Sequence, residues 1–274
     1  MEGVLPKVNM HEEPVNTVLE VIGVDKSYSG RPALVDFSMT IVPGSIHGLL
    51  GSNGSGKSTA LHVITGIIDP DRGSVLHHGV TVSQAVARMR FGFAPDDLPL
   101  PQSLTGREYL RLHDSLRRRD DSSRAMSLAR VLQVRNALSK PISSYSHGMK
   151  RKLQLVCALA HSPSLLILDE PFRGLDPDTA QVLQECLSLF TAAGGAVLMA
   201  THDLLRAETH CEAITMLHNG AIVASGRTRE IVSSHGSVGQ CFSARISSAS
   251  SMATRADRLR ALFTPDEKEI HEDR

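Results

Sequence analysis

The chain lacks the features that mark several large classes of protein. Its 274 residues include 29 Lys plus Arg and 29 Asp plus Glu, so no overall positive field favours nucleic acid as a direct partner. No apolar run approaches the roughly 18 residues needed to cross a bilayer, so another chain would have to supply any membrane crossing. The first residues carry acids and prolines where a signal peptide needs a basic start, and we expect no such signal.

Cysteine is also scarce, with four residues that lie far apart and show no C-x-x-C spacing. The wide separation of the cysteines and the lack of a C-x-x-C pair argue against a zinc site and against a disulfide framework. We therefore expect reduced thiols, as is usual in the cytosol. The four are Cys157, Cys186, Cys211 and Cys241.

One short stretch, GSNGSGKST, has the form G-x-x-x-x-G-K-[ST] of a phosphate-binding loop. Its members are Gly51, Ser52, Asn53, Gly54, Ser55, Gly56, Lys57, Ser58 and Thr59. The glycines let backbone N–H groups point at phosphate oxygens, Lys57 would reach the β- and γ-phosphates, and Ser58 would hold Mg²⁺. A flexible turn is the alternative, but the predicted buried strand 45–50 before the loop and helix 60–68 after it favour phosphate binding.

A second strong pattern is LLILDEP, residues 165–171, which predicts a strand buried on both faces of a parallel sheet. Its end places Asp169 and Glu170 at the edge where such sheets bind ligands. We assign Asp169 to Mg²⁺ and Glu170 to the water that attacks the γ-phosphate. A second predicted strand, 196–200, ends near His202, so we expect His202 at the same edge. A plain acidic strand end would not explain the pairing with a phosphate loop.

The segment before the loop predicts two strands, 18–24 and 35–42, joined by turn residues 25–32 into an antiparallel hairpin. Tyr28 lies on the turn side, where two interpretations stay open: an aromatic ring that stacks on adenine, or an ordinary surface tyrosine. After the loop, we expect His77 and His78 to be exposed polar residues.

Residues 97–160 are helical in pattern and rich in arginine, which predicts an inserted helical subdomain. Thr105 to Glu108 has the form of a capping box, and Arg117 to Arg119 is interpreted as a solvated helix end. Further helices are predicted at 123–132, 149–160 and 179–192, and short strands at 213–217 and 221–224. The tail, 236–274, with a helical piece at 254–263, is interpreted as a partner-binding segment or a mobile appendage.

These motifs together, over residues 18–233, resemble the ATP-binding subunits of ABC transporters. GSNGSGKS is similar to the Walker A loop, LLILDE to Walker B, and YSHGM at Tyr145 to the signature sequence. The segment ending in Asp176 is similar to the D-loop, His202 to the switch histidine, and Tyr28 to the adenine-stacking aromatic. The resemblance implies an α/β fold: a P-loop NTPase (RecA-like) core with an N-terminal antiparallel β subdomain and an inserted α-helical subdomain. It places a leader at 1–16, the cassette at 17–235 and a tail at 236–274.

The resemblance also implies ATP and Mg²⁺ as cofactors, with Glu170, His202 and Lys57 as catalytic residues. In the family two cassettes pair head to tail, so Ser146 and Gly148 of one copy would contact the γ-phosphate bound by the other. The pair, a homodimer or a heterodimer, would work on a separate transmembrane permease at the cytoplasmic face of the membrane.

The chain departs from the family pattern at two positions. Asp96 stands where the family usually has a glutamine. Since a carboxylate repels phosphate, the contact of Asp96 with Mg²⁺ or with the attacking water would be indirect. Gln102 lies too far along the loop to replace the glutamine. His147 stands where the signature has glycine, which requires its side chain to point away from the nucleotide. Both changes resemble variants of exporter-type cassettes for drugs, antibiotic peptides and polysaccharides.

Three other functions remain open at this level. A soluble ABC-type ATPase acting on nucleic acid or ribosomes is disfavoured by the single Walker A motif and the lack of sustained heptads. A small-molecule kinase is disfavoured by the signature-like segment and the Asp169 and Glu170 pair. A regulator with little turnover is kept open by Asp96 and His147.

Overall fold

The computed structural model describes residues 16–96, 99–118 and 122–246. The strands are β1 Leu19–Tyr28, β2 Arg31–Ile41, β3 Ile46–Leu50, β4 Arg72–His77, β5 Val80–Thr81, β6 Phe91–Ala94, β7 Leu165–Asp169, β8 Ala196–Thr201, β9 Ala213–His218 and β10 Ala221–Arg227. The helices are α1 Lys57–Ile64, α2 Ala85–Arg88, α3 Gly106–Leu116, α4 Ser123–Val131, α5 His147–Ala160, α6 Pro177–Ala192, α7 Leu204–His210, α8 Thr228–His235 and α9 Val238–Ile246. The predicted leader, up to residue 15, and the helix predicted at 254–263 lie outside the described residues.

The first sheet is antiparallel, with the strand order β2-β1-β4-β5. The predicted hairpin of β1 and β2 is confirmed, but the predicted turn at 25–32 is too long. The strand β1 continues to Tyr28, and the turn consists of Ser29 and Gly30. A register shift between Val24 and Lys26 lets the strand pass through residues that read as turn formers.

The expectation that His77 is exposed is wrong. His77 lies two residues after Val75 on β4, and alternate residues of a strand share one face. That face is turned inward, so Val75 and His77 are both almost fully buried. The His77 ring is placed against Ala87 O (3.1 Å) and Ser164 Oγ (3.3 Å). His78 is only partly exposed.

The second sheet has the order β10-β9-β3-β8-β7-β6. Its strands β9, β3, β8, β7 and β6 are parallel, and β10 pairs antiparallel with β9. Every residue of β3 and β8 is buried, as expected for strands covered on both faces. Because β3, β8 and β7 are neighbours, the segments that follow their carboxyl ends meet at one edge. We call it the catalytic edge, after the role that the sequence predicts for Glu170 and His202.

The region between β6 and β7 is helical, as predicted. Thr105 forms the predicted capping box with Glu108 at the start of α3, and α5 packs on α4 and β6. The interpretation of Arg117 as a merely solvated helix end is wrong, because its guanidinium donates to Met89 O (3.1 Å) and Phe91 O (3.4 Å). This contact joins the end of α3 to the segment around β6.

The first part of the predicted tail is folded against the rest of the chain. Helix α9 contacts α7, α8 and β10, and its Val238 and Cys241 are buried. In the described parts of the chain, we find no helix long and apolar enough to cross a membrane.

Candidate active site

The phosphate loop leaves the end of β3 and leads directly into α1. Lys57, the first residue of α1, is 8% exposed, and its ammonium donates to Gly51 O (2.7 Å) and Ser52 O (3.2 Å). These two bonds fold the lysine back over the loop, where its charge faces the space that the loop encloses. The helix begins earlier than predicted, at Lys57 and not at residue 60, so its first turn is part of the loop.

The loop needs glycine at two positions. A Cβ on Gly51 would lie 2.3 Å from Ser55 Oγ and 2.6 Å from Leu217 O, and a Cβ on Gly56 would lie 2.6 Å from Ala33 O. Gly56 also has φ 110°, a conformation that side chains disfavour. No larger residue could take this path without moving the backbone.

The start of α1 is suited to an anion. Gly56 provides no side-chain cap, and the first turn of the helix contains no acidic residue. The first N–H groups of a helix have no partner within the helix, and together with the helix dipole they favour negative charge. The residues present therefore fit a bound phosphate group.

A cleft of about 730 Å³ opens in front of the loop. Loop residues Asn53, Gly54, Gly56, Lys57, Ser58 and Thr59 form one wall of it. The other lining residues are Tyr28, Arg31, Pro32, Ala33, Asn219 and Gly220. Tyr28 is about half exposed at the rim, as both of its interpretations require, but its place in this cleft favours contact with a nucleotide base.

The carboxylate of Glu170 is held at the catalytic edge by three hydrogen bonds. Its Oε1 accepts from His202 N (2.9 Å) and lies 2.6 Å from His202 Nδ1, and its Oε2 accepts from Thr201 Oγ1 (2.8 Å). Glu170 also has φ 46°, which is uncommon for a residue with a side chain and is often found at functional sites. The structure thus brings Glu170 and His202 together, as the sequence predicts.

The charges of Lys57, Asp169 and Glu170 act on one another. Burial raises the pKa of the Asp169 carboxyl, and the negative charges of Asp96 and Glu170 raise it further. Burial lowers the pKa of Lys57, while Glu170 and Asp169 act in the opposite direction. The two carboxylates therefore favour the charged form of Lys57, and Lys57 favours the charged form of Asp169.

Asp96 is engaged by an ion pair. Its Oδ2 lies 2.5 Å from Arg173 Nη1, in the turn that follows Glu170. Nearby, the buried guanidinium of Arg151, on α5, donates to Pro95 O (2.6 Å) and to Asp169 O. Arg151 thus connects α5 to the end of β7 and to the segment that enters the helical region.

The signature-like segment forms the start of α5. Ser146 caps the helix, its Oγ accepting from Met149 N (3.2 Å). A Cβ on Gly148 would lie 2.8 Å from Gly174 O, so α5 packs closely on the turn before α6. Neither Ser146 nor Gly148 lines the cleft in front of the phosphate loop.

Asp176 and His147 also lie beside this helix start. Asp176 caps α6 by accepting from Thr179 N (2.8 Å), and it pairs with Lys152 of α5 (3.0 Å). These hydrogen bonds and the Lys152 charge lower the pKa of the Asp176 carboxyl. His147 lies beside Gly174 and not in the cleft. Within one chain, therefore, the structure does not bring Asp176 to the phosphate loop.

Comparison with known proteins agrees with this geometry. The family model described as ABC transporter matches residues 34–173. The chain is 34% identical over 220 residues to the ABC-type transporter ATP-binding protein EcsA of Bacillus subtilis (strain 168), over 78% of this chain and 89% of that protein. This chain belongs to the ABC transporter family. The predicted resemblance is confirmed, and we refer to the folded part as an ABC cassette.

Other relatives support the same assignment. The cassette is 33% identical over 225 residues to a Nod factor export ATP-binding protein I of Bradyrhizobium diazoefficiens (strain JCM 10833 / BCRC 13528 / IAM 13628 / NBRC 14792 / USDA 110), over 80% of this chain and 74% of that protein. A solved ATP-binding subunit of an ABC transporter superposes with a TM-score of 0.80 at 32% identity, over 84% of this chain and all of that one. The predicted fold class, an α/β P-loop NTPase core with an N-terminal antiparallel sheet and inserted helices, is confirmed.

Several residues around the cassette's cleft and catalytic edge were not found by reasoning from the sequence. Arg31, Asn219 and Gly220 line the cleft, while Arg151 and Arg173 bind the backbone and carboxylate near Asp169. The turn signal at Asn219 and Gly220 was visible in the sequence, but nothing in its spacing located it beside a loop more than 150 residues earlier.

Proposed function

We propose that this chain hydrolyses ATP as one of a pair of cassettes and powers a separate membrane-spanning permease. The observation that carries the proposal is the convergence of Lys57, Asp169, Glu170 and His202 at the catalytic edge, beside a loop shaped for phosphate. This set contains a cation for the phosphates and a carboxylate within reach of a water molecule.

The reaction follows from the roles of these groups. Glu170 accepts a proton from water as the water oxygen bonds to the γ-phosphorus, and the bond to the β,γ-bridging oxygen breaks to give ADP and inorganic phosphate. Lys57 and the N–H groups of the loop stabilise the charge on the phosphate oxygens. His202, hydrogen-bonded to Glu170, orients the carboxylate.

Ser58 and Asp169 are the residues that would hold Mg²⁺. Protein sites for this ion commonly use one or two side-chain oxygens together with substrate phosphates, and Ser58 lines the cleft. When bound, the ion would neutralise charge on the phosphates.

Pairing of two cassettes is supported by the position of the signature-like segment. Ser146 and Gly148 lie at the exposed start of α5 and outside the cleft, yet a helix start is suited to phosphate. A head-to-tail pair would place this helix start over the partner's cleft and complete both sites. Loss of the γ-phosphate would then loosen the pair.

A surface for the permease is supported by exposed apolar side chains on two neighbouring helices. We call this set the α2–α3 patch: Val86 of α2, Met89 directly after α2, and Leu112 and Leu116 of α3. All four are exposed. The residues that follow the two helices are joined by the bond from Arg117 to Met89 O. Apolar side chains grouped on a surface mark interaction sites. Helix α3 also contacts α5, whose start is the signature-like segment.

Export is supported by the relatives, one of which is a Nod factor export ATP-binding protein. We infer that the chain works at the cytoplasmic face of the membrane, held there by the permease. The transported compound would be selected by that permease.

The first experiment is affinity purification of the tagged chain from detergent-solubilised membranes of its source cells, with ATPase activity measured before and after. We expect a polytopic membrane protein in about equal amount and a higher rate of hydrolysis in its presence. Recovery of soluble or ribosomal partners alone would contradict the transport proposal.

A matched pair of variants tests the permease surface. Leu116 is 74% exposed on α3 and Leu189 is 72% exposed on α6, so Asp at either position should leave folding intact. We expect Leu116→Asp to lose the permease and Leu189→Asp to keep it. Equal retention by both variants would contradict the α2–α3 patch as the docking surface.

A further inference from the structure

The catalytic edge carries one more carboxylate than the resemblance leads one to expect. Asp96 takes the position where the family usually has glutamine. It follows β6, which pairs in parallel with β7 so that Ala94 lies opposite Leu168, and Asp96 is therefore at the same edge as Asp169. Its negative charge raises the pKa of Asp169. A charge that reaches Asp169 also reaches an anionic ligand bound between Asp169 and the phosphate loop. Left alone, Asp96 would therefore weaken the binding of ATP.

The structure supplies a compensating charge. Arg173 Nη1 lies 2.5 Å from Asp96 Oδ2, and the Asp96 side chain is 21% exposed while that of Arg173 is 63% exposed. The backbone N–H of Arg173 donates to Glu170 O (3.1 Å), which fixes the turn from which the side chain reaches Asp96. The ion pair thus connects the segment that enters the helical region with the turn that follows Glu170.

A second cation, Arg151, is nearby, and its charge also acts on Asp96. Both terminal nitrogens of its guanidinium donate to backbone carbonyls, one to Pro95 O and one to Asp169 O. Arg173 is the arginine in direct contact with the Asp96 carboxylate.

We propose that Arg173 is a positioning residue for nucleotide binding, which acts by neutralising Asp96 so that the catalytic edge accepts a triphosphate. The inference rests on the proposed ATPase function. It makes a prediction that a purely structural ion pair does not make, because the two partners should have opposite effects on the affinity for ATP.

The sign of each effect follows from the charge that is left behind. Arg173→Gln leaves an unpaired carboxylate at the catalytic edge, and we expect the KM for ATP with excess Mg²⁺ to rise about fivefold through repulsion of the phosphates. Asp96→Gln leaves an unpaired cation at the same edge, so the KM should fall. The double variant should return to within about twofold of the wild-type KM.

The test is steady-state hydrolysis of ATP by the full chain, with kcat and KM fitted separately for these three variants. Arg173→Lys, which keeps the charge, should stay near the wild-type KM. Arg130→Gln, at an exposed arginine of α4, is the matched control and should change neither constant. Thermal unfolding of each variant checks that the chain is folded. We expect the Arg173 variants to fold, because the Arg173 side chain is largely exposed.

The outcomes separate this inference from the proposed function. If the wild-type chain hydrolyses no ATP, the proposed function itself fails, and the inference with it. If the wild type is active and both single variants raise the KM alike, or Arg173→Gln leaves it unchanged, charge compensation is overturned while the ATPase stands. Opposite effects with recovery in the double variant support it.

Discussion

Replacing Glu170 by glutamine separates the chemistry of this carboxylate from its structural role. The side chain is 13% exposed and accepts from Thr201 Oγ1 (2.8 Å) and from the backbone N–H of His202 (2.9 Å). Glutamine has the same shape, and its oxygen can keep the bonds to His202. Its NH₂ group would face the Thr201 hydroxyl, which can act as acceptor. We therefore expect the free energy of unfolding to change by no more than about 1 kcal/mol.

The effect on catalysis should be much larger. An amide cannot take a proton from water, and loss of a positioned general base typically slows a reaction about 10²- to 10⁴-fold, which corresponds to about 3–5 kcal/mol in the activation barrier. Phosphate release at saturating ATP with Mg²⁺ measures the rate, and binding of a fluorescent ATP analogue should be retained.

The same variant should trap the pair of cassettes. Because ATP stays bound, light scattering on a size-exclusion column should show a dimer with ATP and a monomer without it. Thr201→Val is the control: it removes the bond to Glu170 Oε2 and the bond from Asp203 N but keeps the carboxylate, and it should retain most of the rate. A Glu170→Gln enzyme that releases phosphate within about threefold of the wild-type rate would refute the assignment of Glu170.

Three further variants test the cleft. Lys57→Ala removes the ammonium that faces the loop, and binding of the ATP analogue should fall at least tenfold; binding at wild-type affinity would contradict the role of this lysine. Tyr28→Ala should weaken the binding free energy of ATP by about 1–3 kcal/mol if the ring stacks on the base, and an unchanged Kd would favour the surface interpretation. Gly51→Ala puts a Cβ 2.3 Å from Ser55 Oγ and should destabilise the chain by about 1–3 kcal/mol, measured by urea unfolding; wild-type stability would show that the loop can adjust.

Much of the fold was predictable because its signals are local. Buried strands such as β3 and β7 read as short apolar runs, and the phosphate loop needs glycine, lysine and serine at fixed spacing. The rule that parallel strands present their carboxyl ends at one edge was enough to group Asp169 and His202. Capping at Thr105 likewise depends on residues three apart in the chain.

The errors arose where a residue's environment depends on distant parts of the chain. His77 is a polar residue type, but it is buried. Strand β4 pairs with β1, and the face of β4 that carries Val75 and His77 points into the protein. Arg117 reads as solvated, but its guanidinium reaches carbonyls 26 and 28 residues earlier. Neither partner can be identified from spacing in the sequence.

The sequence by itself determined the chemistry at the catalytic edge, since loop, carboxylates and histidine are encoded in short motifs whose residue types have few other uses. Only the tertiary structure decided how charge is balanced there. The pairing of Asp96 with Arg173, 77 residues apart, depends on packing between the entry to the helical region and the turn after Glu170. Such pairing follows from the positions of whole elements, and these are set by the packing of the core.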